Sequence, residues 1–166
     1  GDAIGAAAVL PDRTIYVTTT GGQLARYNPF SDPPIVPDPT TAMPFSTPPL
    51  LAKDALYAGR NTRRLVKMNL QGAELKSYLL SAEITAGPVM GPGGQIVVGA
   101  QDGILYSFTT DLDLRWVQFT GAPVLGAPAF TSDALYIVNQ GGVHAYHPHS
   151  GEPLWSHPIA ETVTGG

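Results

Sequence analysis

No cysteine occurs among the 166 residues, and only 13% of them are charged. The first absence excludes a disulfide framework, a thiolate metal site and a cysteine nucleophile, and it suits either redox compartment. The second, set beside 43% apolar residues, is the opposite of the charge-rich, apolar-poor signature of disorder. Positive charge is scarce as well. Nine Lys and Arg stand against 13 Asp and Glu, for a formal charge of -4, which argues against nucleic acid as a partner because such binding relies on basic surface. No apolar run approaches the roughly 20 residues that a membrane-spanning helix needs. The opening residues show no basic stretch followed by an apolar one, so no export signal is read from them and the compartment stays open. Motifs for a nucleophile elbow or a phosphate-cradling loop are missing too, and no His pairs with an ordered Ser and Asp spacing.

What the chain does have is 19 Gly, 16 Pro and an internal repeat. Four triplets, Ile15-Tyr16-Val17, Leu56-Tyr57-Ala58, Ile96-Val97-Val98 and Leu135-Tyr136-Ile137, have their centres 41, 40 and 39 residues apart. Pro48, Pro88 and Pro128 precede the last three, with Ala8 in the matching place of the first. A further anchor follows eight residues after each centre at Leu24, Leu65 and Leu105, and seven after at Val143. Each unit reads as four short strands. In the third, Ala86 to Met90, Gln95 to Ala100, Ile104 to Thr109 and Leu114 to Phe119 are strands, separated by Gly91-Pro92-Gly93-Gly94, by the hairpin turn Gln101-Asp102-Gly103 and by Asp111 to Asp113. Four-stranded units repeating near 40 residues are the signature of β-propeller blades. The expectation is therefore an all-β chain of about four blades, at approximately 4–46, 47–83, 84–122 and 123–161, with 162–166 starting a next one. Four blades make half of a seven- or eight-bladed ring: a piece of a longer chain, a unit that dimerises into the ring, or a compact four-bladed ring.

The fourth unit contains Ala145-Tyr146-His147-Pro148-His149-Ser150-Gly151-Glu152-Pro153-Leu154-Trp155. This resembles the A-x-D-x-x-T-G-x-x-x-W docking motif of quinoprotein-type (PQQ-like) propeller repeats, with His147 at the Asp position and Ser150 for Thr. The third unit carries a looser version ending on Trp116, and its hairpin Val97 to Tyr106, with Gly103 in the turn, is similar to the family's V-x-V-G-x-x-D-G-x-L-Y pattern. The first two units share the period but lack the tryptophan. WD40 repeats match in length only, since no Gly-His followed by Trp-Asp occurs. The resemblance implies that Trp116 and Trp155 act as bolts between blades, with Gly151 letting the backbone come close. It also implies a non-catalytic scaffold or protein-binding platform, similar to the BamB-like outer-membrane assembly factors, located outside the cytoplasm. The alternative it carries is a fragment of a quinone-dependent dehydrogenase. Against that stand the lack of cysteine and of an acidic cluster, so no catalytic residue, metal or cofactor is assigned.

Three other groups invite a site. Residues 29–49 hold eight prolines, which cannot donate to a ladder, so the stretch is expected to replace or interrupt the first blade's outer strand. Either it is a passive strap or it docks a protein partner through Ile35, Val36, Met43 and Phe45. Six of the nine cations fall in the second unit: Lys53, Arg60, Arg63, Arg64, Lys67 and Lys76. Arg60, Arg63 and Arg64 would suit a carboxylate or phosphate, unless they only form a solvated turn. All four histidines come late, but His144 and His147 are three apart on a strand and point to opposite faces, so His147 is expected to satisfy turn amides rather than a metal. Asp111 and Asp113 fall far short of a calcium shell and are taken as turn formers.

Overall fold

Alternating apolar residues between Gly, Pro and Asp turns produce sixteen short strands, and the computed structural model describes them within residues 7–30, 35–37 and 44–159. They form four antiparallel sheets, each of four strands in sequence order. Blade 1 is β1 (Ala8–Val9), β2 (Ile15–Thr18), β3 (Leu24–Tyr27) and β4 (Ile35–Pro37). Blade 2 is β5 (Leu50–Ala52), β6 (Ala55–Arg60), β7 (Arg64–Asn69) and β8 (Glu74–Leu79). Blade 3 is β9 (Ile84–Met90), β10 (Ile96–Ala100), β11 (Ile104–Phe108) and β12 (Leu114–Phe119). Blade 4 is β13 (Ala129–Phe130), β14 (Leu135–Asn139), β15 (Gly142–Tyr146) and β16 (Pro153–His157). The expected start of a further blade at 162–166 lies outside the described residues.

The first strands of the sheets gather on the inside, β1 against β5 and β5 against β9, while β4, β8, β12 and β16 are outer edges. Each sheet is two-faced, and the triplets set the faces because successive side chains alternate. The flanking residues of a triplet point back to the preceding blade and the centre points forward to the next. Thus Tyr16 and Leu24 of blade 1 meet Leu56, Ala58, Val66 and Met68 of blade 2 in one core. Tyr57 and Leu65 of blade 2 meet Ile96, Val98, Tyr106 and Phe108 of blade 3 in a second. Val97 and Leu105 of blade 3 meet Leu135, Ile137 and Tyr146 of blade 4 in a third. The hydrophobic core is therefore a series of seams between sheets, which is how two-faced blades bury both surfaces.

Strand pairing adjusts three sequence expectations. Leu50, Val89 and Ala129 lie across from the triplet centres Tyr57, Val97 and Tyr136, so the proline matching Pro88 and Pro128 is Pro49 and not Pro48. The same register puts Ala7, one residue before Ala8, at the place of that proline, because Ala8 pairs with Tyr16. The proline-rich stretch does not replace the outer strand of blade 1: β4 forms within it and pairs through Ala25↔Pro37, Arg26↔Val36 and Tyr27↔Ile35. Proline is tolerated there because an edge strand has free N–H positions. Met43 lies outside the described residues. Finally, β9 starts two residues before Ala86, at Ile84, which pairs with Ala100.

Candidate functional site

The docking motif builds from its turn outward. The Gly151 amide donates to the His147 carbonyl at 2.9 Å and the His147 amide to the Glu152 carbonyl at 2.7 Å, closing the turn. His147 Nδ1 accepts from the Ser150 amide at 3.4 Å and lies 3.3 Å from its hydroxyl, so the imidazole fills the acceptor place of the motif's carboxylate. Gly151 has φ 75°, a conformation that favours glycine. A Cβ there would stand 2.6 Å from Cε3 of Trp116, so the blade 3 tryptophan rests directly on the blade 4 turn. Ala145 is fully buried, and Gly103 has φ 78° with its Cα close to the Ala122 backbone. Trp155 is different. It lies 6.0 Å from Tyr136 but is 49% exposed, because no described blade rests on it as blade 4 rests on Trp116.

Register shows what blade 2 uses instead. Trp116 pairs with Ser107 and Trp155 with Ala145, each two residues after the forward anchors Leu105 and Val143. The same place in blade 2 is Lys67, two after Leu65, and its partner is Lys76. Both ammonium groups reach the blade 3 turn: Lys67 Nζ to Asp111 Oδ1 at 2.8 Å and Lys76 Nζ to Asp113 Oδ1 at 2.6 Å. The hydrogen bond from Lys67 holds the Asp111 carboxyl below its ordinary value, and the same bond raises Lys67. Two groups that sequence reading kept apart, a basic blade and a pair of turn-forming aspartates, are one seam contact.

The arginines do not form one anion site. Arg60 is buried, with its guanidinium 4.4 Å over the Phe45 ring and 3.9 Å from Glu74, and burial lowers its pKa. Phe45 is buried with it, so neither offers a contact surface. Arg63 donates to the Ser81 carbonyl at 3.0 Å and Arg64 to the Ser77 hydroxyl at 3.1 Å. Of the proposed docking residues Ile35 and Val36, the structure describes the β4 backbone only. His144 sits 2.8 Å from Asn139 Oδ1, and His147 and His149 rings are 6.0 Å apart. No three ligand-type residues gather into a metal set among the described residues.

Sequence reading missed a cleft of about 360 Å³ where the inner strands converge. Pro48, Pro49 and Leu50 form one side, Thr85, Gly87 and Pro88 the middle, and Leu125, Gly126 and Ala127 the other. Thr85 turns its hydroxyl onto the Val124 carbonyl at 2.8 Å, which leaves the cleft walled by apolar side chains and backbone. The signal in the sequence was the recurrence of small residues and proline just before each triplet, read there only as an anchor.

A family model described as outer membrane protein assembly factor BamB matches residues 38–166. Among solved structures the chain is similar to BamB from Moraxella catarrhalis, with a TM-score of 0.79, 15% identity and coverage of 98% of this chain and 55% of that one. It is also similar to a chain of a mitotic checkpoint complex, with a TM-score of 0.79, 13% identity, and 96% and 52% coverage. A third is BBS1N in complex with ARL6DN, with a TM-score of 0.73, 16% identity, and 99% and 53% coverage. No curated protein matches. At these identities the solved structures speak for the fold, and the chain spans about half the length of each.

Proposed function

We propose, taking as premise that this chain belongs to the family of the outer membrane protein assembly factor BamB, that it is a non-catalytic propeller platform for a protein partner. The observation that carries this reading is the axial cleft. Its walls pack apolar groups, and none of its lining side chains can move a proton or ligate a metal at neutral pH. A volume near 360 Å³ accepts a large apolar side chain of a partner, at the small end of ordinary ligand pockets. Leu50 stands on β5 and Thr85, Gly87 and Pro88 on β9, so little freedom of that part of the wall is lost when it is covered. A place outside the cytoplasm belongs to the same proposal and is supported by the outer membrane named in the family's description.

Gly126 gives a clean test, since an added Cβ meets nothing within 4 Å. A photo-crosslinking residue at Ala127, expressed in the natural host, is expected to trap a second protein, and Gly126→Trp is expected to fill the cleft and remove that product without lowering the melting temperature. The reading is overturned if no protein is trapped, or if pyrroloquinoline quinone with calcium binds the full chain and raises its melting temperature.

A further inference from the structure

An antiparallel sheet with one wet face alternates apolar and polar residues, so the face toward water reads as polar. The two terminal sheets do not follow that pattern. On the backward face of blade 1, the pairs Ile15↔Tyr27 and Val17↔Ala25 stand where blade 2 has Leu56↔Met68 and Ala58↔Val66. All four blade 2 residues are 0% exposed, whereas Ile15, Val17 and Ala25 are half-buried and Tyr27 is 38% exposed. The forward face of blade 4 shows the same excess. Val97 and Leu105 of blade 3 are fully buried, but the matching Tyr136 and Val143 are half-buried, as is Val138 beside them, and Trp155 is 49% exposed. His157, across from Val143, is matched at the closed seam by Gln118, across from Leu105. Each terminal face thus carries the residues of a seam, and no described residue closes it.

We propose that a second copy of this chain covers both faces, with blade 4 of each copy closing on blade 1 of the other in a ring of eight blades. The seam is the one the chain already builds three times, a forward face on a backward face. Trp116 packs with Tyr146 where blade 3 meets blade 4, and Tyr27 holds the place of Tyr146 in blade 1, so Trp155 meets Tyr27 of the second copy. What selects a second copy over an unrelated protein is that one chain carries both halves of the seam. The chain also spans 52–55% of each similar solved chain, so two copies supply about the blades of one such ring, and eight lies within the range of propellers. A head-to-tail contact that closes after two copies leaves neither face open. The proposal does not depend on what the axial cleft binds.

Sedimentation equilibrium of the full chain over a concentration series is expected to pass from the single to the doubled mass and to stop there. In a variant with Trp155 as its single tryptophan, acrylamide access is expected to be high in dilute solution and to fall as the mass doubles. Trp155→Glu and Tyr27→Lys are each expected to weaken the dimer at least about tenfold, with unchanged circular dichroism because both side chains are exposed. A mixture of the two variants is expected to recover the doubled mass, since it forms one intact seam and one in which Glu faces Lys. The proposal is overturned if the chain keeps its single mass throughout, if the mass grows past two copies, or if the mixture stays at single mass. It is overturned as well if either substitution leaves the dimer in place, the result for a contact of two forward or two backward faces.

Discussion

Two tryptophans at equivalent repeat positions have unequal environments, and that inequality can be measured. Trp116 rests on Gly151, so Trp116→Ala is expected to cost about 3–5 kcal/mol in denaturant unfolding, the range for a packed aromatic. Trp155 is half exposed, so Trp155→Ala opens no closed cavity and should cost only about 1–2 kcal/mol. Acrylamide quenching of the two single-tryptophan variants should rank them the same way, Trp155 the more accessible. Glycines separate similarly. Gly121 and Gly151 have φ 86° and 75°, but a Cβ at Gly121 meets nothing within 4 Å whereas at Gly151 it enters the Trp116 ring. Gly121→Ala should cost about 1–2 kcal/mol from backbone strain alone, and Gly151→Ala should exceed it by a further 1–3 kcal/mol, roughly, from overpacking. Equal losses in the two alanine variants would mean that the tryptophan can slide off its turn.

At the scale of the element, the blade 2 and blade 3 seam depends on ionisation where the blade 3 and blade 4 seam does not. Asp111 has its carboxyl depressed by Lys67, so its contribution is fully present above the ordinary value of 3.8 and fades as pH falls through the lower folded-state value. Lys67 is shifted upward, so its part is present below the ordinary lysine range and fades as pH rises through the higher folded-state value. Asp111→Asn should therefore flatten the acid limb of a stability profile and lower the plateau near neutral pH by the same small amount, since the Asp111 carboxylate is exposed and salt-screened. A wild-type acid limb that keeps its slope in the variant would remove the contact from the account. This seam also marks the limit of what residues alone disclosed. The period and the hairpins were legible because each is written in local spacing and turn chemistry, and the bolt role of the tryptophans came from the family resemblance. The Lys–Asp contacts span 44 and 37 residues and join groups that look like solvated surface one at a time. Phe45 and Arg60 misled in the opposite direction: each reads as exposed loop, yet their stacking hides both. Pro48 beside Pro49 is a degenerate signal that only strand pairing resolves.

For the molecule as a whole, three seam cores in a row make stability a sum over neighbouring sheets, and among the described residues the inner sheets are supported on two sides and the first and last on one. Native-state amide exchange should then be slowest in β6, β7, β10 and β11, where β6 and β10 are buried along their whole length, and fastest in β1 and β16. Uniform protection across all four blades would show a single cooperative unit instead. The forward and backward faces give the array a direction, so a blade duplicated in tandem would meet its copy through the same kind of apolar seam it already makes. Shuffling is another matter. Blade 2 ends in two ammonium groups that require a turn with two carboxylates, and blade 3 ends in an indole that requires a bare glycine. The blades are thus keyed as well as stacked, and a recombined gene that set blade 4 after blade 2 would place Lys67 and Lys76 over the His147 to Glu152 turn, without the aspartates that answer them. Order along the chain is enforced by side-chain chemistry, so new rings can grow from this sequence by copying neighbouring pairs more readily than by exchanging single blades.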